Sequence, residues 1–311
     1  MSAPTSEVAP VTCGAGNCAH RPKDAVSDPP KVSVLMPVYN TNVKFLGETI
    51  WSILGQTFGN FEFLILNDGS SDESVEKTIA QFNDRRIKYF ANEKNLGIAH
   101  ARNLLIDLSR GEYLAVVDHD DISLPERLAK EVTYLDEHSD IGVVSSWIGI
   151  LGKSKVVRDR ITDREIKEDL LTKFCVFHPA AMIRKSVLID SNIRYESEFF
   201  PSEDYAIWCR LMSKTKFHVI PEILFKYREH RRRTSLRFRN KLRHMAYVIR
   251  EFARRENPDI WAAVQAKMTK CTCVKLFRYV PFLKIIEKGN RTSVYLFNCI
   301  PLVYWNRKCL T

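Results

Sequence analysis

The sequence of 311 residues contains no long apolar run and no secretion signal. A membrane-spanning helix needs roughly eighteen apolar residues in a row, and the nearest candidates, IGVVSSWIGIL and SVYLFNCIPLVYW, are shorter. The N-terminus lacks the charged segment followed by an apolar one that marks a signal peptide. These absences argue against a secreted or membrane-spanning protein, and we expect a cytoplasmic one.

Cysteine pairs with metal-binding spacing are also absent. None of the eight cysteines forms a C-x-x-C pair, so a zinc ribbon is excluded and reduced thiols are expected. Cys13 and Cys18 fall in a leader of residues 1–30 that is rich in Pro, Ala and Ser. Because such a segment has little apolar surface to bury, we expect the leader to be disordered.

The net charge of +10 is divided unequally along the chain. Residues 226–311 contain 21 Lys and Arg against 5 Asp and Glu, whereas residues 1–225 contain 26 against 32. The two parts therefore carry opposite net charge, which indicates that they face different partners.

Four apolar runs alternate with helical patterns in the acidic part of the chain. The runs are VSVLMP (32–37), FEFLIL (61–66), RIKYF (86–90) and YLAVV (113–117). Ser70 with Glu73, and Ser123 with Glu126, have the spacing of a capping box and predict helix starts. This alternation predicts an α/β fold, a mainly parallel, doubly wound sheet with helices on both faces.

A polar cluster follows each predicted strand. The clusters are PVYN, NDGSSD, EKNLG and DHDD. In sheets of this type ligands bind outside the carboxyl ends of the strands. The sequence therefore predicts one functional site that draws on four strand ends.

The cluster DHDD brings three carboxylates close together, those of Asp118, Asp120 and Asp121. Like charges so close are unfavourable unless water solvates them or a cation lies between them. In extended chain Asp118 and Asp120 point the same way, and such carboxylates suit a hard cation, Mn²⁺ or Mg²⁺. Many surface turns contain D-x-D, but a position at the end of a buried strand favours a metal site shared with a substrate phosphate.

Asp68 lies in NDGSSD, where Gly69 permits a tight turn. Its carboxylate can accept a hydrogen bond from the N–H group of a nucleotide base, with Tyr39 near enough in the predicted sheet to stack on the ring. The alternative is a turn that only leads into the next helix.

Together the segments KVSVLMPVYN, ILGQTFGNFEFLILNDGSSDES, NLGIAHARN and GEYLAVVDHDD resemble the family-two glycosyltransferases of the GT-A fold. The resemblance covers residues 31–235 and implies a nucleotide-sugar-binding, catalytic domain over that range. It implies that Pro37, Tyr39 and Asp68 hold the nucleotide base. It also implies that Asp118 and Asp120 hold the metal ion and the donor diphosphate.

The resemblance further implies a catalytic base in an E-D pair, which here is Glu203 and Asp204 in FFPSEDYAIWCRL. Asp204 occupies the position of the base. An inverting transfer needs one carboxylate to take the proton of the acceptor hydroxyl. The structural alternative is that Asp204 stabilises a helix start through the helix dipole.

The segment YREHRRRTSLR follows, and the family often brings a histidine from this position to the metal or diphosphate. His230 is therefore a candidate metal ligand, with a surface histidine as the alternative, and Arg228 and Arg231–Arg233 can meet the diphosphate. Residues with possible acceptor-binding or supporting roles are Glu203, Asp121, His178 and Arg102. For His178 a packed structural role is an equal alternative.

Residues 236–311 form a basic, aromatic-rich extension that we expect to be helical. Its mixture of cations and aromatic residues suits an anionic membrane surface, and a solvated charged face is the main alternative. The lack of a recognised module argues against nucleic-acid binding. We expect peripheral attachment to the inner face of the cell membrane.

The resulting prediction is an inverting, metal-dependent hexosyltransferase that moves a single sugar from a nucleotide-diphosphate donor, with UDP favoured over GDP, to a glycan or lipid-linked acceptor. The terminal segments resemble the tails of bacterial enzymes that build lipopolysaccharide or capsule, which indicates cell-surface polysaccharide synthesis. The Q-x-x-R-W motif of processive members is absent. Two alternatives stay open: a transferase acting on a polyprenyl phosphate, and a catalytically silent, membrane-attached module that binds a nucleotide or sugar.

Overall fold

A computed structural model describes residues 29–230, 233–279, 283–288, 291–296 and 300–306. The leader up to residue 28, with Cys13 and Cys18, lies outside these ranges, as do Arg231 and Arg232. The strands are β1 (Val32–Val38), β2 (Phe61–Asn67), β3 (Ile87–Ala91), β4 (Tyr113–Val116), β5 (Ile122–Ser123), β6 (Ile141–Ile150), β7 (Val156–Val157), β8 (Met182–Arg184), β9 (Lys216–Tyr227), β10 (Leu283–Lys288), β11 (Arg291–Leu296) and β12 (Ile300–Asn306). The helices are α1 (Val43–Leu54), α2 (Ser74–Ala80), α3 (Ile98–Leu108), α4 (Arg127–Glu137), α5 (Asp163–Leu170), α6 (Lys185–Asp190), α7 (Glu203–Leu211), α8 (Thr234–Arg237), α9 (Arg239–Glu256) and α10 (Pro258–Tyr279).

The first nine strands form one sheet in the order β3-β2-β1-β4-β8-β6-β9-β5, with β7 paired to β6. Strands β3, β2, β1 and β4 are parallel to one another. The other half is mixed, because β8 runs antiparallel to β4 and β6 whereas β6 and β9 are parallel. The predicted α/β fold is confirmed. The antiparallel pairings were not foreseen because an apolar run carries no information on strand direction.

Helices cover both faces of the parallel half of the sheet. Strands β1 and β2 are buried along their whole length, which explains their uninterrupted apolar sequences. Val34 and Met36 of β1 share one core cluster with Ile50 of α1, Ile79 of α2 and Leu128 of α4. Helix α3 also contacts β1 but contributes no residue to that cluster. Because strand side chains alternate between faces, α3 covers the opposite face.

The two predicted capping boxes do not form. Helix α2 begins at Ser74 and α4 at Arg127, each one residue beyond the glutamate of the expected box. The serine hydroxyls bond elsewhere: Ser70 Oγ accepts from the N–H of Asn40 at 2.9 Å, and Ser123 Oγ accepts from Arg127 Nη1 at 3.1 Å. The Ser70 hydroxyl therefore bonds to a distant loop and the Ser123 hydroxyl to a side chain of α4 itself, and neither caps the backbone at the expected helix start.

A buried ion pair fixes the end of β4. Arg127 and Glu131 are fully buried, with 3.2 Å between Arg127 Nε and Glu131 Oε1. Arg127 Nη2 donates to the carbonyls of Val116 at 3.0 Å and Ala181 at 3.2 Å. Burial raises the pKa of Glu131 to about 7, although Arg127 opposes this. The pair holds the strand end from which the DHDD segment leaves.

The described residues divide between two compact units, one ending at Arg255 and the other beginning at Glu256. Helix α9 thus belongs, except for its last residue, to the first unit, and this boundary differs from the one expected at residue 235. In the second unit α10 is helical, but β10, β11 and β12 form an antiparallel sheet that was not predicted. Their Val, Ile, Tyr and Trp content favours strands. Among the helices described, none is both long and apolar enough to cross a membrane.

Candidate active site

The loops after β1, β2 and β3 meet at one edge of the sheet. The N–H of Asn40 donates to Ser70 Oγ, and Asn40 Oδ1 accepts from the N–H of Ser71 at 3.0 Å. Gly69 has a φ of +70°, and a Cβ there would lie 2.4 Å from the carbonyl carbon of Lys94 in the loop after β3. Glycine is required both by this φ and by the close approach of the two loops.

Asp68 is buried and holds the loop after β3. Its Oδ1 accepts from Asn92 Nδ2 at 2.7 Å and from the N–H of Leu96 at 3.1 Å, and its Oδ2 accepts from the N–H of Gly97 at 2.9 Å. Asp68 is therefore a positioning residue for the EKNLG loop. Its contact with a nucleotide base stays a prediction.

Pro37 and Tyr39 flank the end of β1. Pro37 lies in the buried strand, in register with Leu66 of β2. The Tyr39 side chain is 46% exposed, and the residue between them, Val38, accepts from the N–H of Asp68 at 2.8 Å. The structure thus presents an accessible aromatic ring directly after the strand residue that bonds the backbone of Asp68, and such a ring can stack on a flat one.

One arginine joins Asp118 to the Glu203–Asp204 pair. Arg102 of α3 is buried, its Nη2 lies 3.4 Å from Asp118 Oδ1, and its Nη1 donates to Glu203 Oε1 at 2.8 Å. Burial alone would lower the pKa of Arg102, but Glu203 and Asp118 raise it, so the guanidinium stays charged. Burial raises the pKa of Asp118, Arg102 opposes this, and Asp120 adds to it.

Asp204 lies in the first turn of α7 and is partly exposed. Its Oδ1 accepts from the N–H of Tyr205 at 2.7 Å, while Glu203 Oε2 has no hydrogen-bond partner among the described residues. Burial and the charge of Glu203 raise the pKa of Asp204 to about 7, and Arg102 opposes them. A carboxyl group that titrates near neutral pH is suited to general base catalysis.

Asp120 and His230 come together from distant parts of the chain. His230 Nε2 and Asp120 Oδ2 share a hydrogen bond of 2.7 Å, and both side chains are partly buried. The His230 ring also lies against Phe45 of α1, with 5.8 Å between the ring centroids. The histidine therefore belongs to the D-x-D region and is not an isolated surface residue.

Asp121 is almost fully buried, whereas the two other carboxylates of DHDD are only partly buried. Its Oδ1 accepts from the N–H of Arg228 at 2.7 Å, and its backbone carbonyl accepts from Thr49 Oγ1 at 2.7 Å. Burial raises its pKa well above the ordinary value, and Asp120 and Asp118 add to the shift. Asp121 thus anchors the chain after the D-x-D sequence.

His178 is fully buried in a packed aromatic environment. Its Nε2 lies 2.7 Å from the Tyr195 hydroxyl oxygen, and its ring centroid lies 5.4 Å from that of Trp208. Burial, followed by the charges of Arg102 and Arg127, lowers the pKa of His178 well below its usual value, so the ring is neutral. These contacts favour the packed structural alternative.

Phe45 and Glu48, which the sequence did not single out as functional residues, both contact Arg228. Arg228 Nε donates to the carbonyl of Asp120 at 2.7 Å, its Nη2 pairs with Glu48, and its guanidinium carbon lies 4.3 Å from the Phe45 ring centroid. Arg228 is therefore committed to protein partners that fix Asp120. The one available signal was the spacing of three residues that puts Phe45 and Glu48 on one face of α1.

The carboxylate-rich edge does not form a closed metal site. In the part of the chain that the structure describes, no three His, Cys, Asp or Glu side chains are grouped so as to hold a metal ion. Asp120 and His230 are paired, and Asp118 is held by Arg102. Mg²⁺-type cations commonly take one or two protein carboxylates and complete their shell with waters and substrate phosphates. The donor set fits a cation of that kind.

The family model described as Glycosyl transferase family 2 matches residues 33–191. The chain is 34% identical to an uncharacterized glycosyltransferase of Methanocaldococcus jannaschii over 209 residues, which is 65% of this chain and 71% of the relative. It is 30% identical to an uncharacterized glycosyltransferase of Haemophilus influenzae over 220 residues, 66% of this chain and 68% of the relative. The family model includes the D-x-D sequence, while Glu203, Asp204 and His230 lie beyond its end.

Two solved structures share the fold. Residues 1–349 of TarS from S. aureus, in complex with UDP-GlcNAc, superpose with a TM-score of 0.58 at 21% identity, covering 70% of this chain and 66% of that one. The mannosyltransferase PcManGT from Pyrobaculum calidifontis, in complex with GDP-Man and Mn²⁺, gives a TM-score of 0.52 at 19% identity, covering 84% and 85%. Likeness at these identities concerns the fold, and it confirms the GT-A architecture. Together with the family model and the curated relatives, it shows that the chain belongs to glycosyltransferase family 2.

Proposed function

We propose that the protein is an inverting, metal-dependent glycosyltransferase that transfers a single hexose from a nucleotide-diphosphate donor to a hydroxyl group of a glycan or lipid-linked acceptor. The observation that carries this proposal is the Arg102 bridge. One buried guanidinium contacts Asp118, at the predicted donor side, and Glu203, the neighbour of the predicted base Asp204. The bridge supports a single site in which donor and acceptor chemistry meet.

Asp204 acts as the general base in this proposal. It takes the proton of the acceptor hydroxyl as the oxygen attacks the anomeric carbon, on the face opposite the departing diphosphate. Its pKa of about 7 lets a large fraction be ionised at neutral pH while keeping the carboxylate basic. Glu203 holds Arg102 and thereby positions the start of α7.

In this proposal Asp118, Asp120 and His230 lie around the Mn²⁺ or Mg²⁺ ion. Because no three such side chains of the described chain are grouped as a complete ligand set, one or two of them would bind the ion directly, and phosphate oxygens and waters would complete its shell. When bound, the cation would offset negative charge on the departing diphosphate. Arg102 orients Asp118, and Phe45 packs against the His230 ring. Support comes from the Asp120–His230 pair, which brings two possible metal ligands from distant parts of the chain to one place.

Pro37, Tyr39 and Asp68 form the nucleotide-base site in this proposal, and UDP is the favoured nucleotide. The two solved structures with the same fold contain UDP-GlcNAc in one and GDP-Man with Mn²⁺ in the other. Both are nucleotide sugars, which supports a donor of this class. GDP is therefore tested beside UDP.

We assign the reaction to cell-surface polysaccharide synthesis, such as that of lipopolysaccharide or capsule, at the inner face of the cell membrane. Support comes from the excess of cations after residue 226 and from the resemblance of the terminal segments to the tails of such enzymes. The absence of Q-x-x-R-W favours addition of one sugar at a time.

The test is a calorimetric titration of UDP and of GDP into the full-length protein, with Mn²⁺ and with EDTA. We expect UDP to bind with Mn²⁺ and the binding to disappear with EDTA. Asp120→Asn should weaken it at least about tenfold, because a metal-binding charge is lost. Asp140→Asn, an exposed aspartate before β6, is the matched control and should bind normally.

Binding of GDP in place of UDP would assign a GDP-sugar as the donor and would leave the proposed reaction type unchanged. If neither nucleotide binds in a metal-dependent way, the proposal fails. A catalytically silent, membrane-attached binding module would then be the better account.

A further inference from the structure

Helix α8 and the N-terminal half of α9 carry exposed cations without acidic partners. Arg237, Arg239, Lys241 and Arg243 are exposed, and none of them pairs with a carboxylate of a described residue. The sequence has no Asp or Glu between Glu229 and Glu251. Arg239 and Arg243 stand one turn apart on α9, where like charges repel each other. An external anion would relieve a repulsion that the described chain leaves in place.

Large apolar side chains are exposed on the same two helices. Leu236 is 46% exposed, Tyr247 56% and Phe252 45%. Ala246 and Ile249 belong to the buried stripe of α9, so helical periodicity directs Tyr247 to the solvent side. We call the exposed cations and apolar residues the α8–α9 surface; its members are Leu236, Arg237, Arg239, Lys241, Arg243, Tyr247, Val248 and Phe252.

The α8–α9 surface adjoins the chain that leads into the catalytic pair. The ring centroid of Phe200 lies 5.1 Å from that of Phe238, which connects α8 to α9, and Lys241 Nζ lies 5.2 Å from the Phe200 centroid. Phe200 precedes Glu203 by three residues and Asp204 by four. A partner bound to this surface would therefore lie on the acceptor side of the protein.

We infer that the α8–α9 surface is a docking site for an anionic lipid bilayer that brings a lipid-linked acceptor to Asp204. The acceptor part of this inference rests on the proposed function; the docking part does not. Lys and Arg side chains are attracted to anionic headgroups, and aromatic rings suit the membrane–water interface. Residues 1–225 carry more acidic than basic residues, so an anionic surface would repel that part of the chain and orient it outward.

The exposed apolar residues favour a bilayer over a soluble polyanion. A nucleic acid recognised through phosphates is bound by cations and polar groups, and it would leave Leu236 and Phe252 in water. A bilayer accepts the apolar side chains at its interface while the flanking cations reach the headgroups. A bilayer therefore gives partners to both the cations and the apolar side chains of the α8–α9 surface.

The experiment measures co-sedimentation of the full-length protein with phosphatidylcholine vesicles, with and without phosphatidylglycerol, at low and at physiological salt. The variant Arg239→Gln/Lys241→Gln/Arg243→Gln should lose on the order of a hundredfold in affinity for the anionic vesicles, since each cation contributes about fivefold. The matched control neutralises three exposed cations elsewhere, Arg85→Gln/Lys88→Gln/Lys214→Gln, and should bind as the unchanged protein does. Leu236→Ser/Phe252→Ser should also weaken vesicle binding.

Three results would overturn the inference: no preference for the anionic vesicles, equal losses in the two triple variants, or binding that is unchanged in Leu236→Ser/Phe252→Ser and displaced by an oligonucleotide. UDP titration with Mn²⁺ on the same variants separates the two proposals. Normal UDP binding without vesicle binding contradicts the docking site alone. Vesicle binding without nucleotide binding contradicts the proposed function and leaves the docking site standing.

Discussion

Asp204 is the residue whose proposed role is most directly tested by a single substitution. Asp204→Asn keeps the size of the side chain and removes the proton acceptor. We expect turnover to fall by about 10²- to 10⁴-fold, the usual contribution of a general base, while donor affinity changes little. Steady-state kinetics measure the turnover, and titration of the donor measures its affinity. Retained activity would favour transfer to a polyprenyl phosphate, and an equal loss of donor binding would indicate a structural role.

The raised pKa of Asp204 also predicts how activity depends on pH. Because the base must be ionised and its pKa is about 7, kcat/KM should rise about tenfold per pH unit below that value and level off above it. The contribution of Asp204 to folding stability depends on pH in the opposite direction. The folded state holds a proton that the unfolded state releases at lower pH, so this group's contribution to stability falls as the pH rises toward 7. A flat profile between pH 5 and pH 8, roughly the window around that pKa, would contradict the assignment.

Gly69 allows a prediction with a control built into the chain. Gly69 and Gly152 both have a left-handed φ, +70° and +74°, but an added Cβ would meet Lys94 at 2.4 Å only at Gly69, whereas nothing lies within 4 Å at Gly152. Gly152→Ala should cost about 1–2 kcal/mol of unfolding free energy from backbone strain. Gly69→Ala should cost more and weaken donor binding, because the loop after β3 must move. Chemical denaturation measures the loss of unfolding free energy, and UDP titration measures the loss of affinity. Equal losses in the two variants would show that the close approach of Gly69 to Lys94 has no effect of its own.

At the scale of elements, Arg102 is the side chain of α3 that ties the end of β4 to the start of α7. Its guanidinium reaches Asp118 and Glu203 with different nitrogens, which a lysine ammonium cannot imitate. Arg102→Lys should therefore lower kcat while keeping the pH profile. Arg102→Gln should move the acidic limb to higher pH, because the Arg102 charge lowers the pKa of Asp204.

The matched control for Arg102 is Arg110→Gln. Arg110 also pairs with a buried glutamate, Glu62, at 2.9 Å, but its own side chain is mostly exposed. Its pH profile should match that of the unchanged protein. If Arg102→Gln leaves the profile in place as well, Arg102 has only a structural role.

At the scale of the whole molecule, the division of charge along the chain has a consequence for binding. The acidic residues 1–225 supply the predicted donor and base residues, and the cations of α8 and α9 extend the same compact unit. Exposed charges are screened over about 8 Å at physiological salt. We therefore expect the predicted vesicle binding to weaken between low and physiological salt, with nucleotide binding at the partly buried edge changing less.

Much of the parallel half of the fold was predictable because its signals are local. Buried parallel strands need continuous apolar runs, and the helices between them need an apolar stripe, so VSVLMP, FEFLIL and YLAVV already indicate the arrangement. The helix starts were misjudged because the serine hydroxyls have other partners. The hydroxyl of Ser70 bonds to Asn40 in a distant loop, whereas that of Ser123 bonds to the side chain of Arg127, one helical turn further along the chain.

By itself the sequence determined the alternation of strands and helices in the parallel half of the sheet and the chemical class of DHDD, because each depends on neighbours in the chain. Only the tertiary structure decided that His230 meets Asp120, that Arg102 joins Asp118 to Glu203, and that Asp68 holds the EKNLG loop. The pKa of Asp204 belongs to this second group. It depends on burial and on charges brought together from α3 and α7, and Coulomb and desolvation energies follow distance in space and not separation in sequence.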